Sequence, residues 1–452
     1  MTVRNIDPVV PLAQKATAMR TTETAGTCPE RPGAVSLLIG RGLRRGDVDS
    51  TTTPSIRTST METRTITTPT TSSGLAPSAD QPARHHADFS FEELVKAYID
   101  CRRSKRNSIT ALAFEQRLER NLFALYQELQ DGSYRPGPSI CFVITRPKPR
   151  EVWAAEFRDR IVHHLFYNRI SPRFHASFIV DSCACIPERG TLYAAQRLEA
   201  KVRSITQNWS RRAFYLKLDL ANFFVSIDKH ILRELLARKI TEPWWLQLAE
   251  TILFHDPRQA FQYRGDLSRL NLVPSHKRLT NQPAHLGLPI GNLSSQFFAN
   301  IYLDVLDQYV KHRVRARRYI RYVDDFALLH ESPQWLNAAR ADIEGFLPAR
   351  LNVHLNPKKT ILQPLDRGMD FVGQVIKPWR RVTRPRMLTD ALRRITTVDE
   401  EDLFETANSY FGLLRQASHS HHERARLANA LRRRGRSIKS DLTKTYRRGT
   451  AK

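Results

Sequence analysis

A chain of 452 residues has room for two or three domains, and with 41% hydrophobic residues it can bury a substantial core over most of its length. Lys and Arg total 71 against 45 Asp and Glu, a formal net charge of +26, so the expected partner is a polyanion and the simplest one is nucleic acid. No apolar run reaches the ~18 residues that span a bilayer, so the expectation is a soluble, cytoplasmic protein with no membrane partner. The five cysteines, Cys28, Cys101, Cys141, Cys183 and Cys185, are odd in number and show no CxxC pair, against a disulfide framework and a structural zinc site alike. Cys183 and Cys185 alternate along what reads as an extended segment and are expected to pack as small hydrophobes.

Residues 1–86 are rich in Thr, Ser, Pro and Gly without sustained hydrophobic periodicity, so a disordered tail is expected. Its apolar piece, AVSLLIG from Ala34, lies too deep in the chain for a signal-peptide core. From Phe89 the spacing predicts two amphipathic helices, FSFEELVKAYIDCRRSKRN and ITALAFEQRLERNLFALYQELQDG, the second stopping at Asp131-Gly132. SICFVITRPKPREVWAA reads as two short strands around the basic turn Arg146-Pro147-Lys148-Pro149-Arg150. EFRDRIVHHLFYNRISPRF is predicted helical up to its proline. FYLKLDLANFFVSID is a buried strand from Phe214 that runs into a turn and helix at Ala221, and RRYIRYVDDFALLH repeats a strand-turn-strand pattern. From about Asp399 the chain is helical and then increasingly basic. Between Arg415 and Lys452 twelve Lys or Arg stand against Glu423 and Asp441 alone, which predicts nucleic-acid contact. His419, His421 and His422 lack acidic or cysteine partners at ligand spacing and read as a polar turn.

Two apolar strands carry acids where an apolar residue belongs: Leu216-Lys217-Leu218-Asp219, and Tyr322-Val323-Asp324-Asp325-Phe326. Uncompensated buried carboxylates cost several kcal/mol, so such acids mean paired charges, bound metal or exposure at a strand end. Adjacent aspartates point to opposite strand faces or sit in a turn, which suits Asp324 as a ligand beside Asp219 and Asp325 as a more peripheral carboxylate. Phosphoryl transfer from a nucleoside triphosphate needs two divalent ions ~3.5–4 Å apart, and one aspartate from each of two neighbouring strands meets that need.

YVDD from Tyr322, in its apolar surround, resembles the catalytic motif of reverse transcriptases, and LKLDLANFFVSID resembles the strand of the partner aspartate. Between Phe89 and Ser418 the chain also carries, in family order, RPKPREVWAAEFRDRIVHH, FIVDSCACIPERGT, GLPIGNLSSQFFANIYLDVLDQYV, LNPKKT and RGMDFVGQVIKP. The resemblance implies an α+β right-hand polymerase. Fingers and palm, with an antiparallel palm sheet packed on helices, would occupy residues 87–384, and a small helical basic thumb residues 385–452. It implies an RNA-directed DNA polymerase using two Mg2+ ions, with Mn2+ as a substitute, and an RNA template, a DNA or RNA primer and dNTPs as partners. Asp219, Asp324 and Asp325 match the catalytic acids and metal ligands, with the Leu220 carbonyl as a further ligand. Phe224 matches the bulky gate against a ribose 2′-hydroxyl. Lys148, Arg150 and Arg158 match the basic fingers segment that contacts the triphosphate. Lys358 or Lys359 matches the lysine that protonates pyrophosphate, and Phe371-Val372-Gly373 resembles the hairpin that grips the primer end.

One departure narrows the resemblance. Many reverse transcriptases begin the motif before the catalytic pair with Gln-Gly and end it with Ser-Pro, whereas here it runs from Ile290-Gly291 to Ser295-Gln296. An aliphatic residue before Gly and a terminal Ser-Gln resemble the reverse transcriptases of diversity-generating retroelements, as do SQFFANIYL and NSYFGLLRQASH. That branch is prokaryotic or phage-encoded. It copies a template-repeat RNA with errors at adenines, alongside a small basic accessory protein, and the cDNA replaces a variable region of a target gene. A group II intron enzyme is the nearest alternative, a retron or antiviral reverse transcriptase is less favoured by the Ile290–Gln296 pattern, and an inactive RNA-binding scaffold is the alternative of another class.

Overall fold

The computed structural model describes residues 87–103, 108–145 and 148–446. The expectations for residues 1–86, Cys28 and the Ala34 segment included, and for Arg146 and Pro147, lie outside the described residues. Apolar spacing yields the helices Phe91–Arg103, Ile109–Glu115 and Leu118–Gln130, which bury Leu94, Ala97, Cys101, Leu122, Leu125 and Leu129. Where one helix is expected from Ile109 there are two, because Arg117 leaves helical backbone at φ −134°. The Asn121 amide donates to the Phe114 carbonyl freed by that break, at 2.8 Å. The helix Phe157–His175 likewise corrects the expected stop, running through Pro172. Pro172 lacks the N–H that would bond back to Asn168, a cost that the buried Ile161, Val162, Leu165, Phe166 and Ile170 outweigh by holding the helix in the core.

β1 (Ser139–Ile144) and β2 (Arg150–Ala154) form the expected antiparallel hairpin, with Ile144 opposite Arg150 next to the tip. β3 (Phe214–Asp219) follows the helix Thr191–Ile205. β4 (Phe261–Tyr263) joins β1 in parallel, on a segment with no strand pattern of its own. β5 (Tyr319–Tyr322), β6 (Asp325–His330) and β7 (Ile361–Pro364) complete a four-stranded antiparallel sheet in the order β5-β6-β3-β7. Alternation gives this sheet two buried faces. Leu216, Leu218, Phe326 and Leu328 join the main core, with the helices Leu293–His312 and Pro333–Leu351. Tyr215, Ile320, Ala327 and Leu329 pack on Ala194, Leu198 and Val202 of Thr191–Ile205. β8 (Met369–Phe371), β9 (Gln374–Lys377) and β10 (Arg380–Thr383) form an antiparallel meander whose Met369, Phe371 and Ile376 enter the second core.

The C-terminal helices Pro385–Thr397, Glu400–Leu414 and His421–Arg433 share a core of their own, from Ala391 and Ile395 to Phe411, Leu427 and Leu431. Helix therefore begins ahead of Asp399, with a proline preorganised in its first turn. His421 and His422 open a helix and do not form a polar turn. Cys183 is buried as expected, but Cys185 stands at φ 54°, which breaks strand alternation, and only Ser182 bridges to β5. No helix among the described residues is long and apolar enough to cross a membrane.

Candidate active site

Register is what assembles the acids. β3 and β6 pair so that Asp219 lies directly opposite Asp325, at the end of an otherwise apolar sheet. Facing like charges destabilise a sheet, so each carboxylate needs its own cation. Lys217, diagonal to Asp325 on the same face, brings its Nζ to 3.0 Å from Asp325 Oδ2. Lys359 Nζ lies 2.7 Å from both carboxylate oxygens of Asp219, and the Asn356 amide reaches Asp219 Oδ1 at 3.4 Å. Asp325 Oδ1 is buried and accepts no hydrogen bond.

Tyr322 pairs with Asp325, which leaves Val323 and Asp324 as a two-residue turn. Val323 stands at φ 56°, where a β-branched residue is strained by about 1–3 kcal/mol. The Leu220 N–H donates to the Asp324 carbonyl at 3.2 Å and fastens the turn to the end of β3. Burial, then the charge of Asp219, pushes the Asp324 carboxyl up, while Lys359 and Arg150 pull it down. Burial pushes Asp325 up to about 6 against the pull of Lys217, with Asp324 and Asp219 adding to the rise.

Around the acids, Asn356 N–H donates to the Asp219 carbonyl at 2.8 Å and Ala221 N–H to the His354 carbonyl at 2.9 Å, so the segment carrying Lys358 and Lys359 is stitched to β3. Only Lys359 turns onto Asp219; Lys358 is exposed. The chain from Gly287 runs beside the other flank: Gly287 N–H bonds the Ile227 carbonyl and Leu288 N–H the Phe224 carbonyl, each at 2.8 Å. It then adds to the free edge of β2, where Trp153 N–H donates to the Ile290 carbonyl at 2.8 Å and Ala155 N–H to Asn292 Oδ1 at 3.0 Å. Gly291 sits at φ 135°, and a Cβ there would lie 2.9 Å from the Trp153 carbonyl oxygen and from Val152. Only glycine fits this junction. Gln296 takes the Cys185 thiol at 3.4 Å.

The remaining expected residues divide. Phe224 is half-buried beside the fully packed Phe223. Lys148 and Arg150 are exposed on the hairpin. Arg158 is committed elsewhere: it pairs with Glu128 and Asp159, donates to the Arg135 carbonyl and covers the Tyr134 ring. Phe371 is buried in the second core, so Val372 and Gly373, at φ 45° and 88°, make the turn into β9. Reading the sequence missed Lys217, Arg321 and Asn356. A lysine inside FYLKLD and an arginine inside YIRYVDD were the available signals, charges on strands otherwise apolar.

Among the described residues no three His, Cys, Asp or Glu side chains form a ready-made metal cage. The donor chemistry nevertheless fits a hard cation, for Asp219 and Asp324 repel each other and Asp325 keeps an orphaned buried oxygen. The family described as reverse transcriptase (RNA-dependent DNA polymerase) matches residues 146–376, just over half of the 452, and the chain belongs to that family. Its fold is accordingly a mixed helix and strand fold with a reverse transcriptase domain; families of this kind work on a template and primer with divalent metal ions. No curated protein matches the chain in sequence. Among solved structures it is similar to telomerase from Candida albicans in complex with a TWJ fragment of telomeric RNA, at TM-score 0.40 and 11% identity over 65% of this chain and 56% of that one. It is also similar to apo telomerase from Candida tropicalis truncated from its C-terminal domain, at TM-score 0.37 and 13% identity over 54% of each chain. The chain thus spans little more than half the length of either.

Proposed function

We propose that the chain is an RNA-directed DNA polymerase that extends a primer on an RNA template by two-metal nucleotidyl transfer. The observation that carries this is the in-register facing of Asp219 and Asp325 with Asp324 in the adjoining turn, three carboxylates gathered at the end of a buried sheet. When bound, a pair of divalent ions, Mg2+ or Mn2+, activates the 3′-oxygen and holds the leaving pyrophosphate. Asp219 and Asp324, with the Leu220 carbonyl, would hold the ions, and Lys217 orients Asp325. Lys358 and Lys359 are both exposed, but Lys359, whose ammonium already lies beside Asp219, is the better donor of a proton to pyrophosphate. Lys148 and Arg150 meet the triphosphate, and Arg158, spent on Glu128 and Asp159, does not join them. Phe224 stands against the ribose 2′-position, and the Phe371–Gly373 turn against the primer end. In right-hand language β1, β2 and the preceding helices are fingers, the four-stranded sheet is palm, and residues 385–452 are a basic thumb.

Asp219→Asn or Asp324→Asn should abolish cDNA synthesis while RNA binding survives, because the loss falls on charge held at the reacting phosphate and not on the basic surface. Asp325→Asn should also be damaging. Substantial primer extension by the Asp324 variant would remove the assignment.

The branch we propose is that of diversity-generating retroelements, copying a template-repeat RNA beside a small basic accessory protein in a prokaryotic or phage setting. Its support is Ile290. The Ile290 carbonyl is spent on Trp153, and its aliphatic branch can only pack where a glutamine would hydrogen-bond near the incoming sugar. Loosened positioning narrows the rate gap between right and wrong nucleotides. Wild type is expected to misincorporate chiefly opposite template adenine, and Ile290→Gln to do so less. Sequencing cDNA from both on one RNA decides it, and equal error spectra, with both enzymes active, would defeat this role of Ile290 while leaving the polymerase.

A further inference from the structure

Behind the Val323-Asp324 turn lies a fully buried ion pair that the chemistry above does not use. Arg321 and Asp307 are both 0% exposed and meet through Nε to Oδ1 at 2.8 Å and Nη2 to Oδ2 at 2.6 Å. The other donors of the guanidinium are also engaged. Nη2 donates to Ser182 Oγ at 2.9 Å, and Nη1 donates to Asn300 Oδ1 at 3.2 Å and to the Val323 carbonyl at 3.1 Å. An arginine has five N–H donors in a rigid fork, and each has an acceptor here. Asp307 is itself held by the Tyr319 hydroxyl at 2.7 Å, and the Asn300 amide is fixed by the Ala184 carbonyl at 2.7 Å. The fork therefore cannot turn without vacating several buried acceptors.

One of those bonds ends on the strained residue. Val323 occupies the first position of a two-residue turn at φ 56°, a conformation that favours glycine, and its carbonyl is the one Arg321 grips. The next carbonyl, that of Asp324, is gripped by the Leu220 N–H. With both carbonyls pinned, the direction in which Asp324 projects is set from behind. We infer that Arg321 is a positioning residue: its buried fork holds Val323 in the left-handed region and thereby aims Asp324 at the reacting phosphate. This rests on the polymerase reading above.

Arg321→Lys keeps a cation opposite Asp307 but replaces the fork with a compact point charge that cannot span Asp307 and the Val323 carbonyl together. Single-nucleotide incorporation, normalised by active-site titration, should show kcat lower by about a hundredfold with KM for the nucleotide nearly unchanged. Adding Val323→Gly removes the strain that Arg321 opposes, so the double variant should recover most of the lost kcat. Hydrogen exchange of the amides from Tyr322 to Phe326 should quicken in Arg321→Lys, a readout that does not need activity. Wild-type kcat in Arg321→Lys, absence of rescue by Val323→Gly, or unchanged exchange would each overturn the inference while an active wild type keeps the polymerase reading. A wild type unable to extend any primer would instead overturn that reading, and this inference with it.

Discussion

Phe223 and Phe224 are neighbours in sequence with different fates: Phe223 is 2% exposed and packs toward Tyr302, whereas Phe224 is half-buried, with its ring edge-on to Phe223. A half-buried ring five residues beyond Asp219 suits a steric gate. Phe224→Ala should admit ribonucleotides, lowering discrimination by on the order of tenfold or more while costing less in deoxynucleotide rate. Comparing incorporation of one ribonucleotide and its deoxy counterpart checks this, and an unaltered preference would return Phe224 to ordinary packing. At this scale the acids were legible because a carboxylate on an apolar strand has few explanations. Their partners were not. Lys217 and Arg321 show the same anomaly, yet which acid each one serves depends on strand register and on how the preceding helix Leu293–His312 packs against β5.

Among the elements, the helix Phe157–His175 carries a pH dependence into the core. Burial pushes His163 down to about 3 and His164 down to about 4, both below the ordinary 6.5. The unfolded chain therefore binds more protons than the folded one from about pH 6.5 downward, and stability is lost as the pH falls through that window. Each histidine contributes a slope of up to ~1.4 kcal/mol per pH unit, and neither matters above pH 7. Asp304, pushed up to about 6 by burial, acts in the opposite sense, so the test is a difference. Urea unfolding at several pH values between about 7 and 4 should give a shallower acid limb for His163→Leu than for wild type; parallel limbs would contradict the buried neutral imidazole. The helix itself was legible from its sequence, but its extent beyond Pro172 was not, because core packing on one face outweighs a proline in the last turn.

For the whole molecule, charge is the determining quantity. Deleting residues 1–86 should leave polymerase activity and melting nearly unchanged, the outcome expected from its Thr/Ser/Pro-rich composition. Deleting residues 415–452 should weaken template binding, in part by stripping the helix His421–Arg433 from the C-terminal core, and flatten its salt dependence, because that slope counts phosphates neutralised. The change should be smaller than the twelve Lys and Arg in the segment suggest. Arg434 and Arg436 are spent on Glu400 and Arg424 on the Asp441 carbonyl, whereas Arg426 and Arg433 are exposed. Primer extension and thermal melting check the first deletion and affinity across a salt series the second, where an unchanged slope would count against a binding role.

Local chemistry determined much of this protein by itself. Apolar runs marked β3, β5 and β6, a Pro-rich turn marked the β1–β2 hairpin, and buried acids in ordered motifs marked the reverse transcriptase family. Those signals are written within a few residues of each other, at the periods of strand and helix. Tertiary structure decided what no short window contains: that Asp219 faces Asp325 and not its sequence neighbours, that Lys359 and not Lys358 turns onto Asp219, that Arg158 is spent on Glu128, and that β4 joins β1. Each of these pairs residues distant along the chain, and the pairing is chosen by sheet register and by the cost of leaving a buried charge alone.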